Sequence, residues 1–98
     1  MPFAPRVTIA IPTYNRAEGY LTEALQCAIA QTYAPLEILV VDNASTDRTA
    51  EVVRAHEHTG LRYVRQPTNV WPFPNFQRCL AEAEGDYFLL LHDDDRID

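Results

Sequence analysis

The chain ends in LLLHDDDRID, residues 89–98. Asp93, Asp94 and Asp95 repel one another there, and a buried carboxylate without a partner protonates rather than keep its charge. A hard divalent cation removes the conflict: one or two of the carboxylates hold Mg2+ or Mn2+, and the ion in turn bridges the oxygens of a diphosphate. An exposed acidic turn is the plain alternative. Two further stretches carry residues that would be useful beside such a group. In PTYNR, residues 12–16, Pro12 ends strand pairing and leaves the backbone of Thr13 and Tyr14 free beside an aromatic face on which a planar base can stack. Tyr14 can equally do no more than cover a sheet end. In DNASTD, residues 42–47, Asp42 either accepts from the N–H of a base or caps the turn that follows. Ser45 and Asp47 are expected to serve that turn and the start of a helix.

These stretches are far apart in sequence, so regular elements must bring them together. Four short apolar runs are candidate strands: RVTIAIP (6–12), LEILVVD (36–42), LRYVRQ (61–66) and DYFLLLH (86–92). The first, second and fourth are nearly continuous, as parallel strands covered on both faces are. The third alternates and reads as an outer strand. Adjacent strand residues point to opposite faces, so three consecutive carboxylates require the fourth strand to have ended. On that reading Leu89, Leu90 and Leu91 are buried, and the acidic residues lie on the loop beyond them.

Helices are expected between the strands. Asn15 followed by Glu18 reads as a capping box, with Leu21, Leu25, Ala28 and Ile29 on one face. A second helix over TAEVVRAHEH, begun by Ser45, Thr46 or Asp47, turns Val52 and Val53 inward and stops at Gly60. The proline-rich QPTNVWPFPN is expected to be a loop. A third helix then starts at Asn75, with Phe76, Leu80 and Ala83 inward. The alternation β-α-β-α-β-loop-α-β predicts an α/β fold: a three-layer sandwich around a mostly parallel sheet. Ligands of such sheets gather at the carboxyl ends of the strands, near the switch in strand order.

Composition excludes some classes of function. The net charge is −6, from 14 acidic residues against 8 arginines, with no lysine, the wrong sign for a protein that grips a nucleic-acid backbone. Cys27 and Cys79 lack metal-ligand spacing and read as core or half-buried thiols. No signal-peptide pattern opens the chain, and no run is long enough for a membrane span. A reducing, cytoplasmic setting is expected, peripheral to a membrane at most.

Taken in order, VTIAIPTYNR, LEILVVDNASTD and AEGDYFLLLHDDD resemble the N-terminal nucleotide-binding half of a family 2 glycosyltransferase of the GT-A fold, over nearly the whole chain. The resemblance implies a single fragment, 1–98, that binds a nucleoside diphosphate sugar, a UDP-sugar foremost, and passes the sugar to a carbohydrate, lipid or protein acceptor with metal assistance. Pro12, Thr13 and Tyr14 would wall the base, Asp42 would hydrogen-bond it, and Asp93 would sit near the ribose. Asp94 would meet the metal, with Asp95 as the second ligand, because the register Asp93-x-Asp95 also fits. Many relatives read Asp-x-Asp-Asp here, which puts His92 at the first aspartate position, and NVWPFPNFQR lacks their usual glycine and arginine spacing. The general base is expected beyond residue 98, so the chain alone would carry donor and metal sites without being a competent transferase, and its unpaired sheet edge would favour self-association.

Other readings fit less well. A sugar nucleotidyltransferase wants a Gly-rich, basic loop after the first strand, which PTYNRAEG is not. A phosphoacceptor domain wants paired acids after strand one. A nucleotide- and metal-binding module without catalysis is the remaining alternative.

Overall fold

The computed structural model describes residues 5–15, 20–31 and 35–91 of the 98. Four strands, β1 (Val7–Thr13), β2 (Leu36–Asp42), β3 (Arg62–Arg65) and β4 (Tyr87–Leu90), form one sheet in the order β3-β2-β1-β4. Every pairing is parallel. Helices α1 (Tyr20–Ile29) and α2 (Thr49–Arg54), the latter followed by a short 3-10 turn at Glu57–Thr59, alternate with the first strands, and α3 (Pro72–Glu82) leads into β4. This is the expected α/β sandwich, and among the described strands the sheet is wholly parallel. No described helix is long and apolar enough to cross a membrane.

Period-two alternation divides the core between the two faces of the sheet. Ile9, Ile11 and Val40 pack with Leu21, Ala24, Leu25 and Ala28 of α1 and Val53 of α2. Ala10, Leu39 and Val41 pack on the other face with Cys79 of α3. Phe76 and Phe88 meet edge-on with centroids 6.3 Å apart, the arrangement that ring quadrupoles favour. Gly60 ends the α2 region at φ +82°, a conformation open to glycine without steric penalty. Cys27 is half-buried and Cys79 fully buried, both as free thiols.

Several expectations need correcting. α3 begins at Pro72 rather than Asn75. Prolines are tolerated in a first turn because the N–H groups there have no partner within the helix. Phe76 and Ala83 do face inward, half-buried, beside the fully covered Cys79 and the buried Asn75, while Leu80 is exposed. The fourth run is not a strand covered on both faces. Among the described strands β4 lies at an edge, with Tyr87 and Leu89 exposed and Leu91, just past its end, buried. A continuous apolar run shows that a strand is apolar, but not that its neighbours are present.

Pro12 does not stop the first strand, which runs on to Thr13 and keeps pairing with β2. In a parallel strand the backbone groups of alternate residues face opposite neighbours. The carbonyl of Thr13 accepts from Asn43 N just past β2, and that of Ala10 accepts from Leu91 N beside β4. Pro12 therefore faces the β4 side. The β1–β4 register ends at Ala10 and Leu90, and the next donor in that ladder would be the amide hydrogen that proline lacks.

Candidate functional site

The order β3-β2-β1-β4 places the switch in strand order between β1 and β4. Crossovers leave to one side for β2 and β3 and to the other for β4. In sheets of this kind the crevice for a ligand opens at such a point, outside the carboxyl ends of the strands. The ends of β1, β2 and β4 all lie on that edge because the strands are parallel.

Thr13 and Asp42 are cross-strand partners at the tips of β1 and β2. Thr13 is buried, Pro12 half-buried, and Tyr14 stands out from the tip at 45% exposure. Asn15, at φ +52°, turns away from α1 and laces the two tips together. Its Oδ1 accepts from Thr46 N at 2.8 Å and Asp47 N at 3.3 Å, and its own N–H donates to Ser45 Oγ at 2.9 Å. Asn15 thus caps the turn before α2, while the first turn it was expected to cap lies outside the described residues. Glu18, its expected partner, lies outside the described residues. Asp47 Oδ1 takes Thr49 N and the Thr49 hydroxyl, so Asp47 serves the helix start as expected.

Asp42 is fully buried and heavily hydrogen-bonded. Oδ1 accepts from Ser45 N at 2.9 Å and from Ser45 Oγ at 2.5 Å. Oδ2 accepts from the Tyr63 hydroxyl at 2.5 Å and lies 3.9 Å from Arg65 Nε. Burial and the Asp42 carboxylate both push the Tyr63 phenol well above its ordinary range, so the phenol is the donor in that bond. Of the two sequence readings of Asp42, the turn cap is visible in the geometry. Tyr63 and Arg65 were missed as partners. Asp42 and Arg65 pair across β2 and β3, and the signal in LRYVRQ was an arginine at a strand end facing the end of its neighbour.

Beyond β2, Asn43 holds the proline-rich segment. Its Nδ2 donates to Val70 O and its Oδ1 accepts from Val70 N, both at 2.7 Å. Asn69 Nδ2 donates to Asn43 O. Trp71 projects from this segment at 82% exposure. Its neighbours Gln66 and Asn75 are buried and bonded to each other.

Asp93, Asp94 and Asp95 lie outside the described residues, as does His92. β4 ends at Leu90 on the same edge as Thr13 and Asp42. Among the described residues no group of three or more His, Cys, Asp or Glu side chains forms a metal site.

Comparison with known proteins agrees with this geometry. The model for glycosyl transferase family 2 matches residues 8–98. The abequosyltransferase RfbV of Salmonella typhimurium is 38% identical over 96 residues, covering 93% of this chain and 28% of its own. A glycosyltransferase of Haemophilus influenzae is 32% identical over 95 residues, covering 95% and 38%. The crystal structure of S. aureus TarS in complex with UDP-GlcNAc superposes with a TM-score of 0.87 at 32% identity, over 95% of this chain and 28% of that one. The mannosyltransferase PcManGT from Pyrobaculum calidifontis, in complex with GDP-Man and Mn2+, gives 0.82 at 34% identity, over 94% and 28%. The chain thus spans less than two fifths of the length of these relatives.

Proposed function

The chain belongs to glycosyl transferase family 2, and from that membership we propose that it is the donor-binding part of a transferase acting on a nucleoside diphosphate sugar, a UDP-sugar foremost. The observation that carries this reading is the gathering of the β1, β2 and β4 ends on one edge, around the switch point. TarS, solved with UDP-GlcNAc, supports it as a relative with the same fold.

In this reading the base stacks against Tyr14, whose ring is free to meet it, with Pro12 and the backbone of Thr13 as the adjoining wall. Asp42 meets the base from the floor of the site. Asp93 lies near the ribose, and Asp94 and Asp95 hold Mg2+ or Mn2+ at the diphosphate. The ion, when bound, supplies positive charge that stabilises a departing diphosphate. The protein's own share is to hold the donor fixed, so that binding energy is used for orientation. No catalytic base is assigned within residues 1–98, and the acceptor, whether carbohydrate, lipid or protein, is engaged elsewhere. The position of β4 at the edge of the described sheet, with Tyr87 and Leu89 exposed, supports self-association of the isolated chain.

Calorimetric titration of UDP into the chain, with and without Mn2+, tests the reading. Mn2+-dependent binding that disappears in Asp94→Ala is expected. Binding that survives this substitution unchanged removes the metal assignment, and a chain that binds no nucleotide removes the donor site.

A further inference from the structure

We propose that Ser45 and Tyr63 set the base preference of the donor site: they leave Asp42 a single acceptor position, which suits a base with one N–H, as in uracil, over a base with two adjacent N–H donors, as in guanine. This rests on the reading of Asp42 as a base contact. The family accommodates both kinds of donor, since TarS is solved with UDP-GlcNAc and PcManGT with GDP-Man. What separates them in this chain is the number of open acceptor sites on one carboxylate.

An ionised carboxylate offers about four acceptor sites, two on each oxygen. Ser45 fills both sites of Oδ1, with its N–H at 2.9 Å and its hydroxyl at 2.5 Å. The hydroxyl is committed to that role because its own oxygen accepts from Asn15 N. Tyr63 fills one site of Oδ2. Arg65 Nε, at 3.9 Å, neutralises charge from beyond hydrogen-bonding distance, and the Arg65 guanidinium also donates to Ser45 O at 3.1 Å. One site on Oδ2 is left.

The way in is also on Oδ2. Ser45, covering Oδ1, is 7% exposed, whereas the Arg65 side chain is 48% exposed and Tyr63 is half-buried. A base reaches the carboxylate by displacing the Arg65 side chain, the more exposed of the two covers. The N3–H of uracil needs one acceptor, and its flanking carbonyls accept from donors such as Arg65. A guanine edge presents N1–H and the N2 amino group side by side. That pair matches a carboxylate through both oxygens, and Oδ1 is already full. The unpaired donor then carries the cost of desolvation without a partner.

Calorimetry of the chain with UDP, GDP and N3-methyl-UDP, at saturating Mn2+, tests the proposal. UDP is expected to bind at least about tenfold more tightly than GDP, and N3-methylation to weaken UDP by about tenfold, the scale of one hydrogen bond. Tyr63→Phe and Ser45→Ala, each checked for an unchanged fold by circular dichroism, are expected to narrow the UDP-to-GDP ratio severalfold. A purely structural role would weaken both nucleotides together and leave the ratio alone. Equal affinities in the unsubstituted chain, or a ratio that neither variant moves, overturn the proposal. Insensitivity to N3-methylation overturns Asp42 as a base contact. A chain that binds none of the three overturns the donor-site reading, and this inference with it.

Discussion

Thr8 and Glu37 face each other across the β1–β2 pair, and the Thr8 hydroxyl donates a 2.7 Å hydrogen bond to Glu37 Oε1 where both residues are buried. The same oxygen accepts from Glu84 N at 3.0 Å, and Glu37 Oε2 lies 3.5 Å from Arg6 Nη2 and 3.7 Å from Arg62 Nε. This cluster occupies the amino-terminal half of the sheet, away from the carboxyl ends of the strands, and ties the α3–β4 connection to the first two strands.

Glu37 makes acid stability a measurable property of that clasp. Burial alone would raise its carboxyl, but the Glu84 N–H, the Thr8 hydroxyl and the Arg62 and Arg6 guanidinium groups outweigh burial and hold it below the ordinary 4.5. A carboxyl with a lowered folded value contributes stability above its unfolded value and loses that contribution as pH falls through the folded one. Glu37→Gln should therefore cost about 1–3 kcal/mol near neutral pH, as expected for a hydrogen bond to a charged group. The difference should shrink as pH drops below about 4.5. Urea unfolding of both chains across that range checks it, and a constant difference at all pH values would contradict it.

Gly85 is required by close approach. A Cβ there would stand 2.7 Å from both Thr8 N and Thr8 Oγ1 and 2.9 Å from Arg6 O, and two of these three neighbours are backbone. Gly85→Ala must push β4 away from β1 or break the Gly85 N to Thr8 Oγ1 bond of 2.9 Å. A loss of about 1–3 kcal/mol is expected, with the amides of β4 losing hydrogen-exchange protection before those of β2. Uniform loss across the sheet would argue against a local clash.

Asn43 should matter more to the 66–71 segment than to the fold. Asn43→Ala removes both 2.7 Å bonds to Val70 and leaves the Val70 backbone groups to find water. About 1–2 kcal/mol is expected, together with faster proteolysis near Trp71. A segment as resistant as before would show that Asn69 and Gln66 hold it unaided.

Much of this fold was legible in the sequence because hydrophobic period and turn residues act locally. The run LEILVVD marked β2 to the residue, and Leu21, Leu25 and Ala28 fell on the buried face of α1 as their spacing required. The errors arose where the outcome depended on a neighbour distant in sequence. Nothing local in DYFLLLH reveals that β4 is an edge strand, and nothing local in PTYNR tells Asn15 that its partners are Thr46 and Asp47. The cluster of Asp42 with Ser45, Tyr63 and Arg65 is likewise a product of strand register. PTYNR and DNASTD were expected on one edge of the sheet, and Thr13 and Asp42 do meet there as cross-strand partners, but which side chains close around Asp42 was not readable from either stretch.

Cys79 offers a chemical probe of opening. Burial pushes its thiol up to about 11, so little thiolate exists near neutral pH, and the side chain is fully covered. Alkylation of Cys79 should lag that of half-buried Cys27 by orders of magnitude and should speed up as urea approaches the unfolding midpoint. Mass spectrometry of the labelled peptides separates the two sites. Equal rates in native buffer would mean that α3 leaves the sheet readily.

Among the described residues the β1–β4 register stops at Ala10 and Leu90, and Pro12 makes that stop a property of the main chain. The next rung is withheld by one hydrogen that an imino acid does not possess, so side chains nearby can vary without restoring it. Giving position 12 an amide would restore a donor on the side of β1 that faces β4.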